Sequence, residues 1–118
     1  MIKVKWDLSE AIVLMAEYFE ASSYTAVSDR RLSLLSEMYK KKAVEAGIKF
    51  DEKFRNITGL KMQLACIHYI VTNGHEGMAN ASKVFYQAYE LYQNSPQSFA
   101  NIRNEFLNKF GIERPDFM

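Results

Sequence analysis

The chain is poor in the features that mark secreted, membrane-spanning or metal-binding proteins. It has a single cysteine, Cys66, so no internal disulfide can form, which fits a reducing compartment. Its five glycines, at 47, 59, 74, 77 and 111, are scattered and build no phosphate-cradling loop. Two histidines, His68 and His75, fall short of a zinc ligand set. The longest strongly apolar stretch, residues 64–71, contains His68 and is far shorter than the roughly 20 residues a bilayer requires. The opening Met1-Ile2-Lys3-Val4-Lys5-Trp6-Asp7 lacks the apolar centre of a signal peptide. Charge of one sign is missing too. Fifteen Lys and Arg face fourteen Asp and Glu, whereas a dedicated duplex binder usually carries a strongly basic face. The expectation is a cytoplasmic protein with no membrane partner, no cofactor and no metal.

Aromatic side chains, by contrast, are plentiful: eight Phe, seven Tyr and one Trp in 118 residues. They bury large areas, enough to supply the core of one domain of this length. Apolar spacing is helical throughout. Asp7-Leu8-Ser9-Glu10 has the capping-box pattern, and Leu8, Ile12, Met15 and Phe19 follow it, with Val13, Leu14 and Ala16 widening the stripe. Ser28 or Asp29 opens a second helix, running to about Ala46, which Gly47 ends. Asn56 or Thr58 opens a third, through about Thr72, carrying Leu60, Leu64, Ile67 and Val71, with Met62, Cys66, Tyr69 and Ile70 on its other sides. A helix apolar nearly all round belongs at the centre of a bundle, so the spacing predicts residues 57–72 as a rod wrapped by the other four. A fourth helix is predicted from about Ala79 to Gln93, and Ser95-Pro96 starts a fifth that Gly111 stops. The fold class is therefore all-α: one compact, irregular bundle of about five helices, with a short N-terminal arm over residues 1–6 and a frayed tail over 112–118.

Chemistry is harder to find. Cys66 and His68 are two apart on a helix and point to different faces, so they cannot act as nucleophile and base. Each has a structural reading, as a small buried residue and a satisfied half-buried histidine. Three features could meet a partner. Lys40, Lys41 and Lys42 lie near the end of the second helix, where cations complement the macrodipole or face phosphate. Arg55, Asn56, Gly59 and Lys61 cluster at the start of the third, where free backbone N–H groups attract anions. The structural alternative there has Asn56 as cap, Gly59 relieving a tight helix crossing, and Arg55 bonding to carbonyls or a carboxylate. Tyr86, Tyr89 and Tyr92 form a strip that is either a stacking platform or the edge of the core.

The order Trp6-x-x-x-Glu10-Ala11, Leu32-Ser33-x-Leu35 and Phe54-Arg55-Asn56-x-x-Gly59-x-x-Met62-x-Leu64 resembles the N-terminal head domain of modification-dependent HNH-type restriction endonucleases and related prokaryotic defence proteins. The likeness spans most of residues 6–110. It departs at Ile57-Thr58, where that family commonly has Pro-Asn. Nuclease and base-reading modules lie in other domains of such proteins, so the resemblance implies a non-catalytic accessory domain and transfers no catalytic residue. The expected partners are DNA, contacted through phosphates, and other domains of a longer parent protein. The alternative is a protein–protein or homodimerisation module using the aromatic faces of helices one and four, without DNA contact.

Overall fold

The computed structural model describes residues 4–21 and 23–111. Five helices follow one another: α1 (Leu8–Glu20), α2 (Asp29–Glu45), α3 (Ile57–Val71), α4 (Lys83–Asn94) and α5 (Pro96–Phe110). The expected tail and residues 1–3 of the arm lie outside the described residues. Val4, Lys5 and Trp6 precede α1 without helix or strand.

The helix ends follow from local chemistry. Asp7 and Glu10 form the reciprocal capping box: Glu10 N–H donates to Asp7 Oδ1 at 2.9 Å, and Asp7 N–H to Glu10 Oε1 at 3.1 Å. The Ser28 hydroxyl accepts from Arg31 N–H at the start of α2. At its end Gly47 takes φ +72°, and Gly47 and Ile48 donate back to Val44 and Ala43, a Schellman closure. The same closure ends α3, but Asn73 at φ +56° occupies the left-handed position, a role asparagine tolerates. The fourth helix starts four residues later than its spacing predicts. Met78 N–H is drawn to the Ala65 carbonyl of α3 at 3.1 Å and Asn80 sits at φ +78°, so the chain cannot turn helical until Ser82.

The central element is α1, not α3. Residues Ala11, Ile12, Val13, Leu14, Met15 and Ala16 are all buried, which covers more than a full turn and leaves no solvent face. α1 packs on α3, α4 and α5, while α2 packs on α3 and α5. α3 buries Leu60, Leu64, Cys66, Ile67 and Ile70 but turns Lys61 and Met62 outward, with Met62 50% exposed. Its all-round apolarity therefore does not mean all-round burial. α1 was the less obvious centre because it carries Glu10, Glu17 and Glu20. Each is held by an arginine from another element: Arg55, Arg31 and Arg103 respectively. The Tyr39 hydroxyl, fully buried, adds a bond to the Glu10 carbonyl at 2.9 Å.

Candidate phosphate-contacting site

The residues singled out at the start of α3 divide into two groups. Arg55 points inward. Its side chain is 7% exposed; the guanidinium lies 4.0 Å over the Trp6 ring and 4.6 Å from the Phe54 ring. It donates to the carbonyls of Val4 and Lys5 and pairs with Glu10 at 3.4 Å. This is the structural alternative of the sequence reading, and it removes Arg55 from any surface that could meet phosphate. The Trp6, Glu10, Phe54 and Arg55 positions that carry the family resemblance thus meet as one clasp tying the arm to the 48–56 link. Arg55 holds this place at φ +48°, a conformation costing a non-glycine residue about 1–2 kcal/mol, so the contacts must outweigh it.

Asn56 caps α3, its Oδ1 accepting Gly59 N–H at 2.8 Å. Gly59 does not relieve a helix crossing. A Cβ there would meet only the Asn56 Oδ1 it shelters, at 3.1 Å, and no neighbouring helix. Lys61 reaches Asp29 at 2.9 Å with both side chains exposed, a surface pair worth about 0–1 kcal/mol that leaves the lysine open to a competing anion.

The three lysines of α2 diverge, since consecutive helical residues are about 100° apart. Lys42 turns to α1 and pairs with Asp7 at 2.6 Å. Lys41 faces solvent. Lys40 alone turns to the start of α3, where with Ser33, Ser36, Asn56, Ile57 and Thr58 it lines a shallow groove of about 390 Å³. Ser33, Ser36 and Lys40 stand at i, i+3 and i+7, one polar stripe on α2. That stripe is legible in the sequence, and the serines were the missed signal.

The groove is lined by hydrogen-bond donors and one cation. Ile57 and Thr58 are the first two residues of α3, and their N–H groups have no acceptor among the described residues. Such orphan donors carry the positive end of the helix dipole. Lys40 forms no ion pair among the described residues. Ser36 is 6% exposed, and its hydroxyl has no hydrogen-bond partner there either. The hydroxyl oxygen itself is not sealed off, and the residue lines the groove.

The remaining candidates are satisfied within the fold. His68 Nδ1 meets the Tyr18 hydroxyl at 2.8 Å and its Nε2 meets Glu76 at 2.9 Å, with Tyr24 stacked on the ring. Burial pushes both the Tyr18 hydroxyl and the Cys66 thiol above their ordinary values, the opposite of an activated nucleophile. Tyr89 and Tyr92 stack on Phe19 of α1, with Tyr92 centred 4.0 Å away, so the strip packs along a core edge, while Tyr86 and Tyr92 keep exposed faces. Tyr18 and Phe19 of α1 are half-buried among these contacts. Among the described residues no three metal-ligating side chains cluster, and no helix is long and apolar enough to cross a membrane. Comparisons with protein-family models, curated proteins and solved structures return no match for this chain.

Proposed function

We propose that the chain is a non-catalytic accessory domain of a cytoplasmic DNA-processing or restriction-type defence protein, and that it contributes contact to the nucleic-acid backbone. The observation that carries this reading is the α2–α3 groove, which is lined by Lys40, by the first two residues of α3 with their open backbone donors, and by the Ser36 hydroxyl, none of them partnered among the described residues. Lys61 and Lys41 are exposed and would add longer-range attraction for the strand. None of these groups reads a base edge, so the expected binding is weak, indifferent to sequence and strongly dependent on salt. Titrating a short duplex at several salt concentrations tests it. Lys40→Ala should weaken binding and lower the salt slope by about one, whereas Lys109→Ala on α5 should change neither. Absence of duplex binding at low salt, or a slope untouched by Lys40→Ala together with Lys61→Ala, overturns the reading.

Self-association is the second reading. It rests on two exposed methionines, Met62 on α3 and Met78, whose N–H donates to the Ala65 carbonyl of α3. Sedimentation would then show a concentration-dependent dimer that Met62→Glu abolishes. A monomer at every concentration removes this reading.

A further inference from the structure

A second cleft is walled in part by Phe50, Asp51, Lys53, Phe54 and Arg55 of the link between α2 and α3. Its volume is about 860 Å³, within the range of about 300–1,000 Å³ typical of small-molecule sites. Phe50 and Phe54 stack on each other at 4.8 Å and both are half-buried, so their rings form part of its wall. Around it stand Lys5, Lys53 and Lys83, none in an ion pair among the described residues. The one lining carboxylate, Asp51, accepts the Lys53 backbone N–H at 2.9 Å. The start of α4 opens into the same space through Ser82, Lys83 and Val84, and the Ser82 side chain makes no capping bond to its own helix.

A second observation is independent of these charges. Two polar atoms of the lining residues are buried without a partner: Arg55 Nε, a donor, and Gln63 Oε1, an acceptor. The Arg55 side chain is 7% exposed, and its other nitrogens are held by Val4, Lys5 and Glu10. A native fold leaves few such groups unsatisfied, and here both belong to the same wall.

We propose that this cleft binds a nucleoside phosphate. The phosphate sits among Lys5, Lys53, Lys83 and the uncapped N–H groups of α4, where backbone donors and cations act together. The base lies against the Phe50–Phe54 stack, since every base has a π face. An aliphatic phosphate would leave the aromatic wall unused. This inference does not depend on the α2–α3 groove. The ligand is either a free nucleotide or the phosphorylated end of a nucleic-acid strand.

Trp6 lines the cleft and is the only tryptophan of the chain, so its emission is a built-in reporter. The full chain is titrated with AMP, with inorganic phosphate and with a 5′-phosphorylated single-stranded oligonucleotide, each followed by Trp6 emission and by calorimetry. AMP is expected to saturate and to bind at least about tenfold more tightly than phosphate. Lys83→Ala, an exposed position, weakens AMP severalfold. Phe50→Ala, checked for its fold by circular dichroism, weakens AMP and leaves the phosphate affinity unchanged. Lys40→Ala leaves AMP binding unaltered and so separates this cleft from the α2–α3 groove. Tighter binding of the oligonucleotide assigns the ligand to a strand end, and tighter binding of AMP to a free nucleotide. Silence with both, phosphate binding as tight as AMP, or indifference of AMP to both cleft variants overturns the proposal.

Discussion

At the scale of single residues, Arg55 shows how one side chain can look like a ligand contact and be a structural tie. From sequence it is a cation ahead of a helix start, where anions gather. In the structure its guanidinium is enclosed by Trp6, Phe54, Glu10 and two carbonyls. No local pattern shows this, because Trp6 and Glu10 are more than forty residues away in the chain. Asn56, by contrast, was readable, since a cap is decided within three residues. Arg55→Ala should cost on the order of 3 kcal/mol in a denaturant titration, the typical loss when one partner of a buried ion pair is removed. Arg55→Lys should recover only part of it, since an ammonium cannot stack as a planar guanidinium does. A loss well under 1 kcal/mol for Arg55→Ala would mean that the arm is held by something else.

At the scale of elements, five helices and most of their ends follow from spacing and caps, because those signals are local. Which helix sits inside does not follow. The apolar surround of α3 includes Met62, and an exposed apolar residue is ordinary on a protein surface. The glutamates of α1 suggest a wet helix until their arginine partners from the 48–56 link, α2 and α5 are in place. Leu64 and Met62 give the discriminating pair. Leu64→Ala should cost about 2–5 kcal/mol, the usual loss for a buried leucine. Met62→Ala, two residues away on the open side, should stay within about 0.5 kcal/mol. Equal losses in denaturant titrations would return α3 to the centre of the bundle. The candidate groove was half legible for a related reason. Lys40 and the start of α3 stand out singly, but only packing of α2 on α3 brings Ser33 and Ser36 beside them.

For the whole molecule, the nearly balanced charge is organised as ties between elements rather than as a single-signed face. Asp7 is an instance, joining the start of α1 to Lys42 of α2. Burial works to raise its pKa, yet the hydrogen bonds from Lys42, the Glu10 N–H and the Ser9 hydroxyl outweigh burial and hold it below the ordinary carboxylate value. A depressed folded pKa stabilises the fold above the unfolded value of about 3.9, and that contribution is lost as pH falls through the folded value. Asp7→Asn, which keeps a capping oxygen without the charge, should therefore be less stable than the parent near neutrality. The gap should narrow as pH falls through the acidic range in which Asp7 takes up its proton. Thermal melts of both proteins across that range check the sign, and a gap independent of pH would detach Asp7 from acid stability.

The meeting of Gly77 with α3 has a consequence for how the molecule breathes. A Cβ at Gly77, which holds φ +97°, would lie 2.4 Å from the Ala65 carbonyl oxygen and 2.7 Å from the Tyr69 nitrogen, so main chain rests directly on main chain with no side chain as cushion. The Met78 amide closes that seam on Ala65. The stretch between α3 and α4, though irregular, is thereby tied to a helix, and hydrogen exchange at the Met78 amide is expected to follow that of α3 rather than that of a loose strap.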